Sequence, residues 1–445
     1  MGWTSPVNVI LNDEDQSPLP APVTTAQGSW IGSLLTFGLI FGPFIGGFAQ
    51  ATIGRRWGLL AAAILFFIGS LFITFATSVA FIYAGRVFWG TASGMVFVIL
   101  PMYCAEIATV EARGAIGSFL QTFITFGFLL VYTSGPFIGY SGIAYVSLGF
   151  AVIFFVGMFL MPETPTYYFI QNDPKSAAKS LAKIRGKPIE SLQKELDLIS
   201  AAVDDSKDRK GTIADIFRRK NFKAFFIGSA LVFFQQFTGI TIVVFYMTDI
   251  FRVAGSNLEP AYATIIVGAV QFLAALMTPF VADRLGRRII VMVSSGGCAI
   301  GLGLLGLYFF LADIDSPIIE SINFLPLVSL MLFLVMFRWG MGALPWAIIG
   351  EMTPIEVKDS VAPLATAFCW TCSFLITRYY SVVAASAGHF VVFWIFAVCS
   401  FGSFCFGLFY LPETKDKTFN EIQDMLSGSD LTKREAERTE RAQRA

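Results

Sequence analysis

Eleven predominantly apolar stretches, each of about 20 residues or more, divide this 445-residue chain, and that is the length an α-helix needs to cross the hydrocarbon of a bilayer. They lie at 28–50, 58–77, 79–105, 114–138, 142–161, 222–249, 260–282, 289–311, 322–350, 360–385 and 389–411. Composition agrees: 55% of the residues are apolar, 15% aromatic and only 14% charged, against roughly a quarter charged in an ordinary soluble domain. So few charges cannot coat a globule in water. The zero formal net charge gives no basis for a nucleic-acid partner, and the lipid bilayer is the expected one.

Orientation follows from the basic residues, which mark the cytoplasmic side of membrane proteins. Of the 31 Lys and Arg, all but Arg86, Arg252, Arg338 and Arg378 fall on one face. That face carries the Arg55–Arg56 turn, the polar stretch 162–221 and the tail, while the N-terminal residues, free of Lys and Arg, fall on the other. An integral plasma-membrane protein with an external N-terminus and an odd number of crossings is expected. Cys104, Cys298, Cys369, Cys372, Cys399 and Cys405 all sit in apolar runs, so the Cys369–Cys372 pair reads as buried helix and no disulfide framework is expected. The single histidine, His389, belongs to the outer side, and no nucleophile, metal or phosphate motif is present. Neither an enzyme nor a cofactor is expected.

Three polar signatures recur in the same order. Gly54-Arg55-Arg56 returns as Gly286-Arg287-Arg288, Glu106 with Arg113 as Glu351 with Lys358, and Pro162-Glu163-Thr164 as Pro412-Glu413-Thr414. The chain therefore reads as a duplicated bundle: residues 1–161 form one membrane half, 162–221 a cytoplasmic helical linker, 222–411 a second, six-helix half and 412–445 a cytoplasmic tail. Registering the halves puts the counterpart of 222–249 mostly before Met1. Residues 2–7 then read as the outer end of a first helix that is otherwise missing, followed by a loop with Asp13, Glu14 and Asp15.

These residues carry a resemblance. Gly85-Arg86, Pro101-Met102-Tyr103, Arg113-Gly114, Pro162-Glu163-Thr164-Pro165, Gln235-Gln236 with Gly239-Ile240, Asp283 to Arg288, Pro345-Trp346 with Glu351, and Pro412-Glu413-Thr414-Lys415 together resemble the sugar porter branch of the major facilitator superfamily, nearest to the insect facilitated trehalose and glucose transporters. The resemblance implies an all-α membrane fold of two six-helix halves, the first helix of the first half being absent here, with the solute site between the halves near the midplane. It implies facilitative transport of a hexose or trehalose by alternating access, and leaves proton coupling open.

Gln235 and Gln236 lie in an apolar helix among Phe233, Phe234 and Phe237, where an unpartnered amide costs several kcal/mol. Solute hydroxyls would remove that cost; hydrogen bonds between helices would too. Trp346 follows Pro345 in a segment broken by Gly340 and Gly342, and broken helices at membrane depth face cavities. Its ring, and that of Trp370, can stack on a sugar. Gln121 and Gln271 fall where similar transporters place sugar-contacting amides, and Thr241 stands where they usually have Asn. Asn positions of some glucose carriers are Cys369 and Ser373 here, and Ala343 replaces a family proline. Arg338 and Arg378 lie unusually deep in apolar helices, where they either snorkel or meet an anionic or polyol solute.

A second constellation groups Glu106, Arg113, Glu163, Glu351, Lys358 and Glu413 with Arg55, Arg56, Asp283, Arg284, Arg287 and Arg288 at the cytoplasmic helix ends. In similar transporters such charges close the inner side and release it on the swing inward. The alternatives to a sugar carrier are a non-transporting sugar sensor, an inactive paralogue, and a carrier of a polyol or other small polar solute.

Overall fold

The computed structural model describes residues 1–109, 113–208, 219–255, 258–282, 286–353, 355–415, 417, 421–422 and 425, with the backbone alone at 113–118, 206–208, 219–221, 279–282 and 355–360. In chain order the helices are α1 (Thr4–Leu11), α2 (Thr25–Thr52), α3 (Arg55–Thr74), α4 (Val79–Ile107), α5 (Arg113–Leu160), α6 (Pro165–Ile170), α7 (Pro174–Arg185), α8 (Gln193–Asp208), α9 (Arg219–Phe237), α10 (Ile240–Ala254), α11 (Pro260–Ala282), α12 (Arg287–Asp313), α13 (Leu325–Trp339), α14 (Leu344–Met352), α15 (Ile355–Ala387) and α16 (His389–Phe409).

Ten apolar spans among the described residues are long enough to cross a membrane. One, Phe119–Leu160, holds 42 residues, about twice what a hydrocarbon core of roughly 30 Å requires. It turns back at Gly139, whose φ is +62°. The arm before the turn carries Tyr132, bonded to the Val244 carbonyl in the first half of α10. The arm after it starts at Tyr140, bonded to Ile73 at one end of α3, and finishes at Met158, bonded to Arg56 at the other. Those two arms raise the number of crossings among the described residues to eleven. Two further spans are interrupted: α9 gives way to α10 at Gly239, with φ +77°, and α13 to α14 through Gly340–Ala343.

The outside of the bundle is apolar. Phe48, Phe123, Ile153 and Val398 are each more than half exposed, as lipid-facing side chains must be, and the small polar groups point inward. Ser33, Thr36, Ser70, Ser295, Ser373 and Thr377 are fully buried, many bonded to carbonyls of their own or a neighbouring helix. Close helix contact is made by small residues, the usual device where lipid offers no hydrophobic drive to associate. Along α2 and α4, Gly38 lies on the backbone of Val87 and Thr91, Gly42 on Gly94, and Gly90 on Leu35 and Gly38.

One end of the bundle carries α6–α8 and is called here the linker end; the other is the far end. Helix α7 starts on Pro174 with the Asp173 carboxylate accepting from Ser176 N, and stops at left-handed Gly186, so cap chemistry sets both limits. The Ser176 hydrogen bond holds the Asp173 carboxyl below its ordinary pKa. Leu181, Leu192 and Leu196 form a small core of their own. Arg185 ties this unit to the bundle, donating to the carbonyl of Ile107 at the end of α4 at 2.7 Å and pairing with Glu195 at 2.6 Å.

A side chain at Gly90 has nowhere to go, whereas one at Gly47 meets nothing within 4 Å. Gly90→Leu is therefore expected to lower the thermal midpoint in detergent by the several degrees that correspond to an overpacking cost of about 1–3 kcal/mol. Gly47→Leu, on the same pair of helices, should leave it unchanged. Equal midpoints would refute the close contact.

Candidate functional site

At the linker end the two repeats build the same clamp. The Glu163 carboxylate accepts from the backbone N–H of Arg55 (3.1 Å) and Arg56 (2.9 Å) at the start of α3. Glu413 accepts from Arg287 (2.8 Å) and Arg288 (3.2 Å) at the start of α12. A carboxylate on exposed helix N–H groups gains both the charge-assisted bonds and the dipole. The second arginine of each pair crosses to the end of a neighbouring helix: Arg56 reaches the carbonyls of Met158 and Phe159, and Arg288 those of Gly407 and Leu408. The first arginine pairs with the glutamate of the next signature, Arg55 with Glu106 at 3.0 Å and Arg287 with Glu351 at 3.5 Å. Burial raises the Glu163 carboxyl above its ordinary pKa, against the pull of the N–H groups of Thr164, Arg56 and Arg55 and of the Arg55 charge.

Glu163 and Glu413 thus hold helix backbones rather than guanidinium groups, and these ion pairs stay within one half. Asp283 and Arg284 lie outside the described residues, as do the side chains of Arg113 and Lys358.

Near the midplane the candidate amides are bonded to protein. Gln235 donates to the carbonyls of Met341 (2.5 Å) and Gly342 (3.2 Å), which the break between α13 and α14 leaves without helical partners. Gln236 belongs to a directed chain: Ser373 Oγ donates to Thr241 Oγ1 at 2.9 Å, Thr241 to Gln236 Oε1 at 3.1 Å, and the Gln236 amide to Cys369 Sγ at 2.9 Å. Three positions at which this sequence departs from the sugar-porter pattern therefore form one network joining α9, α10 and α15. Gln271, buried in α11, has its amide against the guanidinium of Arg338 in α13, and since a guanidinium only donates, the amide oxygen is assigned to that side. Trp370 packs against Phe97 of α4, their ring centres 5.7 Å apart. Trp346 is 36% exposed on α14, just beyond the break. Gln121 sits half-buried on α5, with its backbone carbonyl accepting from the Thr125 hydroxyl.

Hydrogen bonds joining the two sets of helices cluster toward the far end. Ser5 of α1 meets Thr248 of α10, hydroxyl to hydroxyl at 2.8 Å and to the backbone N–H at 3.0 Å. Ser29 of α2 donates to the Arg378 carbonyl at 2.8 Å, Thr36 faces Thr377 at 3.4 Å, and Tyr132 holds Val244. Arg378 lies 4.6 Å from the centre of the Trp30 ring. Deep in α4, Arg86 is fully buried, donating to Ile31 O (2.8 Å) and Thr4 Oγ1 (2.7 Å) beneath the Trp3 ring. The Ser5–Thr248 contact escaped sequence reasoning, because lone hydroxyls in apolar helices carry no distinguishing pattern. The four-residue spacing of Cys369 and Ser373 on one helix face is the signal that could have found the Gln236 chain.

The family described as "Sugar (and other) transporter" matches residues 7–426. Over 428 residues the chain is 34% identical to the facilitated trehalose transporter Tret1 of Apis mellifera ligustica, covering 96% of this chain and 84% of that one. It is also 34% identical to the Tret1 of Anopheles gambiae, of which it spans about half the length, 54%. The inward open conformation of the xylose transporter XylE from E. coli superposes with a TM-score of 0.77 at 23% identity, over 95% of both chains. An auto-inhibited POT family peptide transporter superposes with 0.61 at 13% identity, over 94% of this chain and 96% of that one. The fold is that of the major facilitator superfamily. The chain belongs to the sugar transporter family, a family of integral membrane transporters and not of enzymes.

The repeated clamp has a measurable counterpart. Glu163→Gln and Glu413→Gln each exchange a charged acceptor for a neutral one, and each should cost about 1–2 kcal/mol, read as a lower thermal midpoint in detergent. Similar losses from both are expected because the geometry is the same. A loss from one alone would contradict the structural repeat.

Proposed function

We propose that the chain carries a small sugar, a hexose or trehalose, through the seam between residues 1–161 and 222–411 by alternating access, without proton coupling. The linker 162–221 and the tail 412–445 lie in the cytoplasm and the membrane is the plasma membrane. The observation that carries this reading is the sidedness of the contacts among the described residues: hydrogen bonds between the halves at the far end, and ion pairs confined to each half at the linker end. A carrier closed outside and open inside has that pattern. The relatives named as facilitated trehalose transporters make trehalose and glucose the first solutes to try.

Gln235, Gln236, Thr241, Gln271, Trp346 and Trp370 surround the solute at the midplane, with Gln121 facing it from the first half. A solute must compete with the bonds these amides already make, so recognition is an exchange of partners between states. Trading one hydrogen bond for another keeps the two states within the few kcal/mol that a working cycle needs.

The seal at the far end supplies the test. Ser5→Cys with Thr248→Cys replaces hydroxyls 2.8 Å apart by two thiols that oxidation can join. The oxidised full-length pair, in proteoliposomes, should lose glucose and trehalose counterflow and regain it on reduction, with each single variant unaffected by oxidant. Counterflow that continues through the oxidised pair would overturn alternating access at this seam.

A further inference from the structure

Arg338 occupies the last turn of α13, immediately before the broken segment, and is 5% exposed. Its Nη2 and Nε donate to Gln271 Oε1, the latter at 3.2 Å. Those bonds use two of the five N–H donors of a guanidinium, and among the described residues no carboxylate pairs with it. The surroundings belong to the seam: Tyr132 of α5 packs on α11 at Gly268, one turn from Gln271, and is itself anchored to Val244. Arg338 therefore lies where the two halves meet, near the depth of the Gln235 contact at Met341 and Gly342.

A neutral amide satisfies hydrogen bonds but leaves the charge uncompensated. At the membrane midplane that costs several kcal/mol, and Arg338 is buried there beside Gln271. A partner of opposite charge that is present for part of the cycle removes the cost. The planar fork matches a carboxylate bidentately. One cation compensates one negative charge, which favours a monocarboxylate over a phosphate ester.

We propose that Arg338 makes the path selective for a sugar bearing a carboxylate, of the hexuronate class, over the corresponding neutral hexose. The inference rests on the transport reading above. Gln271 orients the guanidinium and yields one or both of its bonds when the carboxylate docks.

The test uses the full-length protein in proteoliposomes, with labelled glucuronate and labelled glucose followed in parallel. Glucuronate is expected to exchange at least about tenfold faster than glucose, the scale of one charge-assisted bidentate contact. Net glucuronate uptake should accelerate when a potassium diffusion potential makes the lumen positive, since it moves a negative charge, while glucose uptake ignores the potential. Arg338→Gln should bring the ratio of the two rates close to one, and Arg338→Lys should keep part of the preference and all of the voltage response. Equal rates in the unmodified protein, or a preference that survives Arg338→Gln, would overturn the inference. Glucose flux without glucuronate flux overturns it alone and leaves the transport reading standing, whereas the absence of both fluxes overturns the transport reading and the inference with it. Should Arg338→Gln fail to fold, Arg338→Lys still decides: a glucuronate preference undiminished by that change overturns the inference.

Discussion

Inside a bilayer a polar group has no water to fall back on, and this constraint organises the molecule from its helices to its site. Backbone groups pair within each span, and where a span is interrupted the freed groups must be met by something else. The carbonyls of Met341 and Gly342 are met by Gln235. The N–H groups that begin α3 and α12 are met by Glu163 and Glu413. Each such substitute comes from a residue distant in sequence, so the places where helices break or begin are also where the chain is knitted together.

The same constraint separates rigid contacts from exchangeable ones. Glycine contacts between α2 and α4 bring backbones together and offer no alternative partner. The clamps at the linker end tie helices of one half to each other and move with that half. Contacts across the seam are of another kind: hydroxyl pairs, such as Ser5 with Thr248, and hydroxyls on backbone carbonyls, such as Ser29 on Arg378 and Tyr132 on Val244. Single neutral hydrogen bonds of this type are worth about 1 kcal/mol net, which holds a state without trapping it.

Much of the fold was legible in the sequence, because apolar length and the recurrence of Gly-Arg-Arg and Pro-Glu-Thr are local or repeated signals. The caps of α7 were legible for the same reason, Asp173-Pro174 and Gly186 being adjacent to what they terminate. The direction of the clamps was not: Glu163 and Arg55 are recognisable as charges, but only the fold decides whether the carboxylate meets a guanidinium or a backbone N–H. The site was legible as a set of residue types and illegible as a set of partners. Gln236 stands out in an apolar helix, whereas its path through Thr241 to Ser373 and onto Cys369 depends on packing α10 and α15 beside α9. Trp346 and Trp370 stand out in sequence as rings in apolar helices, whereas the partner of Trp370, Phe97 of α4, depends on how α15 packs.

The central claim is that two halves rock about a seam whose far end is sealed here and whose linker end is free to close. Ile53 at the end of α2 and Ile289 at the start of α12 are both exposed at the linker end, one in each half, and are suited to spin labels. Pulsed electron–electron distance measurement between them, in lipid with and without sugar, should give two populations whose proportions shift when sugar is added. A single distance, unchanged by any sugar, would contradict the account.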